Sequence, residues 1–195
     1  MQKKQLMAAL ALRWLRRGMH VGFSSCSTAA CYIALLSGTG RNGQLQVQAT
    51  ATSLASQKLA RQVGIPLLES RRGLRGDLTV EGTDELDAQP RLVKGGGATL
   101  LREKVLAPAF DYLLIIADFS KVVAHLGQFS SSLKVVPSAL PGVLDAVAAL
   151  GGARCCGRAS KKLRNPLVDY RFNVLLEPSG SARNCTRGAK ITGKK

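Results

Sequence analysis

Acidic residues are what this chain has least of. It carries 12 Asp and Glu against 28 Lys and Arg, a net charge of +16, and no acidic residue precedes Glu69. Aromatics make up only 5% and there are two histidines, His20 and His125. The basic residues are scattered and no DNA or RNA recognition motif accompanies them, so the charge favours anions without defining a nucleic-acid reader. No apolar run approaches the ~20 residues that span a bilayer, which argues against a membrane protein. The five cysteines, Cys26, Cys31, Cys155, Cys156 and Cys185, contain no CxxC pair. They read as reduced thiols of a cytosolic protein rather than as zinc ligands or a disulfide framework.

A length of 195 residues with 46% hydrophobic content suffices for one sizeable core with a small appendage. The first twenty residues are basic and free of acids, the composition of a mitochondrial transit peptide. We read them instead as a first surface helix, because Gly18 closes the pattern just where the apolar strand Val21–Phe23 begins. Asn184-Cys185-Thr186 matches a glycosylation acceptor by accident, since no secretory signal accompanies it.

Strand and helix patterns then alternate. A helix at about 3–17 leads to the strand 21–23, a Ser/Thr turn at 24–28 and an apolar helix at 29–36. Beyond a glycine-rich loop at 38–43 come a strand at 45–49 and a helix at 53–63. Strands follow at 65–68 and 78–80, then a helix at 97–109. Residues 113–117 form a continuous, branched apolar run of the kind buried in a parallel sheet. The expected fold is α/β, a Rossmann-like open sheet flanked by helices over residues 1–127. Strand-like 133–136, helical 140–150 and strand-like 168–176 predict a small, incomplete α+β domain over 128–178. Residues 179–195 read as a loose basic tail.

Polar function concentrates between Glu81 and Lys121. Four of the 12 acids lie within Glu81-Gly82-Thr83-Asp84-Glu85-Leu86-Asp87, at the carboxyl end of a predicted strand, where open α/β sheets place ligands. The bland alternative is a solvated acidic turn. Lys94-Gly95-Gly96-Gly97 lacks P-loop spacing, yet consecutive glycines let a backbone approach a ligand closely. Glu103, between Arg102 and Lys104, has cationic neighbours that favour its ionised form and is a candidate general base. A surface helix glutamate is the commoner fate. Ser24-Ser25-Cys26-Ser27-Thr28, between strand and helix, is either an anion site or an ordinary helix cap. His125 reads as structural and His20 is uninformative, while Cys155-Cys156 read as core or strand positions, or as a redox-sensitive pair if exposed.

Taken in order, these segments resemble type A ribose-5-phosphate isomerases, from about residue 4 to 177. The resemblance is carried by Gly82-Thr83-Asp84-Glu85, Lys94-Gly95-Gly96-Gly97, Arg102-Glu103-Lys104 and Ala117-Asp118-Phe119-Ser120-Lys121, followed by Leu126-Gly127. It implies interconversion of ribose 5-phosphate and ribulose 5-phosphate in the pentose phosphate pathway, without metal or organic cofactor, by a cytoplasmic homodimer. Glu103 would carry the proton between C2 and C1, Asp84 and Glu81 would handle sugar hydroxyls and ring opening, and Lys94 would steady the oxyanion. Gly82, Thr83 and Gly95 to Gly97 would approach the sugar. Ser25, Cys26, Ser27 and Thr28 match the phosphate loop, assisted by Lys121 and Lys4.

The chain departs from the family pattern in several places. The loop Ser24-Ser25-Cys26-Ser27-Thr28 stands where the family has Gly-Thr-Gly-Ser-Thr, and Glu81 replaces an aspartate. Most of the second half of the small domain is missing after Glu177, with Arg187-Gly188-Ala189 a relic of its last strand. These departures open one alternative, a catalytically impaired homologue that binds a sugar phosphate or another anion without turnover; the basic surplus leaves another, a basic scaffold bound to nucleic acid.

Overall fold

The computed structural model describes residues 2–37, 45–89, 91–96, 100–154, 167–171 and 190–192. Its centre is a five-stranded, wholly parallel sheet of β1 (His20–Phe23), β2 (Gln48–Ala51), β3 (Gly76–Gly82), β6 (Phe110–Ile116) and β10 (Lys190–Thr192), in the order β10-β6-β3-β1-β2. From β1 the chain goes to one side to make β2, then crosses to the other to make β3. The crevice between the carboxyl ends of β1 and β3 is therefore a topological switch point, the place where such sheets bind ligands.

Period-two alternation explains the two faces of the sheet. On β6, Leu114 and Ile116 join the main core while Leu113 and Ile115 join a second cluster with Leu86 and Ala117. The main core also takes Val21 and Phe23 from β1 and Leu78 and Val80 from β3. Three helices cover it: α1 (Gln2–Ala11) with Met7, Ala8 and Ala11, α2 (Ser27–Ser37) with Tyr32, Ile33 and Leu36, and α3 (Leu54–Gln62) with Ala60. The basic opening segment is thus an integral helix, packed on α2. Ser53 caps α3, its hydroxyl accepting the Ser56 N–H at 3.1 Å.

The opposite face carries α4 (Leu100–Leu106). A Cβ on Gly22 would meet Thr79 Oγ1 at 2.6 Å and Leu106 Cδ2 at 3.1 Å. Glycine there lets α4 sit close against β1. Helices on both faces of a parallel sheet make this the α/β class read from the alternating pattern.

Two smaller sheets complete the described structure. β4 (Glu85–Leu86) pairs antiparallel with β5 (Leu92–Val93). β7 (Ser131–Lys134), β9 (Leu167–Arg171) and β8 (Ala153–Arg154) form an antiparallel sheet in the order β7-β9-β8. Val135 and Tyr170 pack there with Val147 of α5 (Leu140–Ala149).

Several sequence expectations need correction. The strand at 45–49 forms three residues later, because Gln46 takes a left-handed backbone with φ +50° and interrupts the extended chain. Residues 65–68 contribute only an isolated bridge from Leu67 to Ala49. Pro66 lies within that segment and has no N–H with which to extend a ladder. Residues 190–192 of the expected loose tail pair in parallel with β6 and become the fifth strand of the main sheet. The loop 38–43, Cys155, Cys156, Cys185 and residues 172–189 lie outside the described residues.

Candidate active site

The carboxyl ends of β1, β3 and β6, with α4 and the loop after β5, enclose a cavity of about 160 Å³. β1 leads into Ser24-Ser25-Cys26 and the first turn of α2, so Cys26, Ser27 and Thr28 form one wall. The end of β3 supplies Gly82, Thr83 and Asp84, and the loop after β5 supplies Lys94, Gly95 and Gly96. β6 ends in Ile116, Ala117 and Asp118, followed by Lys121, and Lys4 reaches in from α1. Glu103 enters from α4.

Glu103 is buried at 7% exposure, not a surface helix glutamate. Its Oε1 accepts Ser24 Oγ at 2.6 Å, Ser25 Oγ at 3.3 Å and Ser25 N–H at 3.4 Å. Its Oε2 stands 3.7 Å from Lys94 Nζ. The cation facing the carboxylate is Lys94 rather than the adjacent Arg102, whose guanidinium donates to the Thr52 carbonyl at 3.3 Å.

Lys94 also donates to the Gly82 carbonyl at 2.6 Å and pairs with Glu81 Oε2 at 2.8 Å. Desolvation works against its ammonium, but Glu81 and Glu103 together outweigh it and hold the Lys94 pKa above the ordinary lysine value. Burial pushes the Glu81 carboxyl up, against the opposing pull of Lys94. Glu81 is 2% exposed and stands behind Lys94, outside the cavity wall. It lies within β3 rather than after it, on the face opposite Leu78 and Val80.

The remaining acids of the cluster divide by task. Asp84 Oδ2 accepts the Gly96 N–H at 2.9 Å inside the cavity wall. Glu85 accepts the backbone N–H groups of Gly127 and Phe129, and Asp87 binds the Arg91 guanidinium. Glu85 and Asp87 therefore clip loops and do not face the cavity. Thr83 lines the cavity but turns its hydroxyl onto the Glu85 and Val93 carbonyls at 2.6 and 2.9 Å.

At the first turn of α2 the helix cap is a thiol, Cys26 Sγ accepting the Ala29 N–H at 3.3 Å. Cys26 does not take a left-handed backbone, so the exchange of glycine for cysteine carries no strain of that kind. The thiol fits because Gly82 opposes it: a Cβ on Gly82 would meet Cys26 Sγ at 2.9 Å. Lys4 Nζ donates to Ser27 Oγ at 2.7 Å. Lys4 thus stands at the N-terminus of α2, and Lys121 lines the same cavity, an arrangement suited to an anion.

Among the expected residues, Cys26, Ser27, Thr28, Gly82, Thr83, Asp84, Lys94, Gly95, Gly96, Glu103 and Lys121 line this one cavity. Ser25 lies behind the wall against Glu103 and Thr52, whose hydroxyl is 3.0 Å from its own. Gly97 lies outside the described residues. Sequence reasoning missed Ser24 and Thr52 as partners of the Glu103 network; hydroxyls beside two strand ends were the only signal.

A model of the family described as ribose 5-phosphate isomerase A (phosphoriboisomerase A) matches residues 48–186. Ribose-5-phosphate isomerase A of Parvibaculum lavamentivorans is 34% identical over 190 residues, covering 91% of this chain and 82% of that protein. The enzyme of the same name from Sphingopyxis alaskensis is 41% identical over 149 residues, covering 76% of this chain and 65% of that one. The structure of ribose 5-phosphate isomerase A from Methanocaldococcus jannaschii matches with a TM-score of 0.80 at 30% identity, over 88% of this chain and 80% of that one. By sequence and by fold, this chain belongs to the ribose 5-phosphate isomerase A family.

Proposed function

We propose that the protein is an aldose-ketose isomerase interconverting D-ribose 5-phosphate and D-ribulose 5-phosphate through an enediolate, in the pentose phosphate pathway. The observation that carries this reading is the buried Glu103 carboxylate, 3.7 Å from the Lys94 ammonium, in a cavity that also holds Asp84 and the first turn of α2. A carboxylate and a fixed cation side by side suit removal of a carbon-bound proton with charge building on the neighbouring oxygen.

In this reading the phosphate is held by the first turn of α2 with Ser27, Thr28, Lys4 and Lys121. The aldehyde end of the opened sugar then lies toward Lys94 and Glu103. Glu103 takes the proton from C2 and returns it to C1, while Lys94 balances the negative charge of the enediolate. Asp84 accepts from the sugar hydroxyls, oriented by the Gly96 N–H. Glu81 acts through Lys94, fixing its ammonium from behind. We include in the proposal a cytoplasmic homodimer, which rests on the family resemblance and the reduced cysteines.

A second reading, a homologue that binds sugar phosphate or another anion without turnover, draws on the Ser24-Ser25-Cys26 stretch where the family pattern has Gly-Thr-Gly. Conversion of ribose 5-phosphate by the purified protein separates the two, with Glu103→Gln as control. Turnover abolished by that change is the expected result. Binding of the sugar phosphate by a folded protein that shows no turnover would establish the second reading instead.

A further inference from the structure

We propose that Ser24 is a positioning residue for the base: its buried hydroxyl fixes Glu103 Oε1 and weakens the hold of that carboxylate on a proton. The inference rests on Glu103 as the general base of the isomerase. Ser24 is fully buried and lies outside the cavity wall, so it acts through Glu103 and not on substrate.

Its place is determined from both sides. The Ser24 N–H donates to the Val80 carbonyl of β3 at 3.3 Å, and its own carbonyl accepts Ser56 Oγ from α3 at 2.8 Å. With the backbone pinned to the neighbouring strand and to a helix, the hydroxyl reaches Oε1 at 2.6 Å. The Ser25 N–H and hydroxyl approach the same oxygen at 3.4 and 3.3 Å. Oε2 is left on the side of Lys94, toward the cavity.

Hydrogen bonds donated to a carboxylate favour its charged form, and a buried one is worth more than an exposed one. Among the described residues, the charged or titratable groups that share the cavity with Glu103 are Lys94, with Glu81 behind that lysine, and Lys4, Cys26, Asp84, Asp118 and Lys121, while Arg102 and Lys104 flank it on its own helix. None of these changes when Ser24 does. The family pattern has glycine at this position, so this chain has a donor to its base that the pattern lacks.

The test uses the full chain as wild type, Ser24→Ala and Ser24→Gly, with folding checked by near-ultraviolet circular dichroism. Two readouts are compared: the pH dependence of kcat/KM for ribose 5-phosphate, and the carbon-13 titration of the Glu103 carboxyl, assigned by its loss in Glu103→Gln. In both variants the acid limb and the carboxyl titration should move up by about one pH unit, the scale of one charge-assisted hydrogen bond. KM should stay within about twofold, because Ser24 does not touch substrate. Titrations unmoved in folded variants, or a KM that rises while the acid limb stays in place, would overturn the proposal. Absence of turnover in the wild type would overturn the isomerase reading and with it the role of Ser24 toward a base, whereas an unmoved carboxyl titration in an active enzyme would overturn the Ser24 proposal alone. Should Ser24→Ala and Ser24→Gly both fail to fold, Ser24→Cys, a weaker donor of similar size, takes their place under the same criteria.

Discussion

The Lys94 ammonium lies 2.8 Å from Glu81 Oε2, and through that pair a buried strand residue positions the cation of the cavity. Glu103 stands 3.7 Å away on the other side, so one cation holds two carboxylates. Replacing Lys94 by Met leaves both facing each other without it. Urea unfolding should show a loss of about 3 kcal/mol, the lower end for a broken buried pair because Lys94 is partly exposed. Turnover should fall at least about 100-fold, as when a transition-state donor is removed.

Glu103→Gln keeps the shape of the side chain and its place beside Ser24, but an amide cannot accept the proton. We expect kcat to fall by about 100- to 10,000-fold with KM changed only a few-fold. A steady-state assay measuring both constants checks it, and a large rise in KM with kcat intact would remove Glu103 from the chemical step.

Gly82 and Cys26 are coupled by space. A methyl group on Gly82 would stand 2.9 Å from Cys26 Sγ, so Gly82→Ala should cost about 1–3 kcal/mol by overpacking. Adding Cys26→Gly removes the obstructing sulfur. The double variant should recover most of the loss, which thermal unfolding of all four forms reads as a coupling energy.

At Gly96 the crowding falls on a functional side chain. A Cβ there would meet Asp84 Oδ1 and Phe129 Cζ, each at 2.9 Å, displacing the carboxylate that its own N–H orients. Gly96→Ala should lower kcat/KM by about 100-fold, the scale of an ångström of misplacement. An unchanged kcat/KM would mean that Asp84 needs no such orientation.

Glu81 should leave a mark on stability against pH. Burial raises its folded pKa above the ordinary 4.5, despite Lys94, so the folded state binds this proton more tightly than the unfolded chain. Its contribution is complete below about pH 4.5 and is lost as pH rises through the higher folded value. Glu81→Gln removes that dependence. Unfolding free energies of wild type and variant between pH 4 and 8 should therefore diverge, with the wild type losing ground as pH rises.

Much of this site was legible because its residues sit in short local patterns at strand ends. The apolar run at 113–117 announced a buried strand, and the motifs from Gly82 to Lys121 announced the cavity wall. Less legible was the division of labour inside the acidic cluster. Glu85 and Asp87 look no different in sequence from Asp84, yet one clips the loop at Gly127 and the other holds Arg91. Arg102, adjacent in sequence, looked like a cation that serves Glu103, whereas its guanidinium turns to the Thr52 carbonyl and Lys94 stands 3.7 Å from the carboxylate.

Alone, the amino-acid order was enough for the α/β class, for the strands at 21–23, 78–80 and 113–117, for the helices between them and for the family to which the chain belongs. Those depend on residues close together in the chain, where backbone sterics and side-chain alternation act. Only the tertiary structure decided which partner each buried polar group takes. Ser24 meets Glu103 across 79 positions and Lys94 meets Glu81 between neighbouring elements. It also decided that residues 190–192 join the main sheet rather than trail from it. The reason is physical: hydrogen bonds and ion pairs are fixed by distance in space. Folding alone brings β1, β3 and α4 to the same few ångströms.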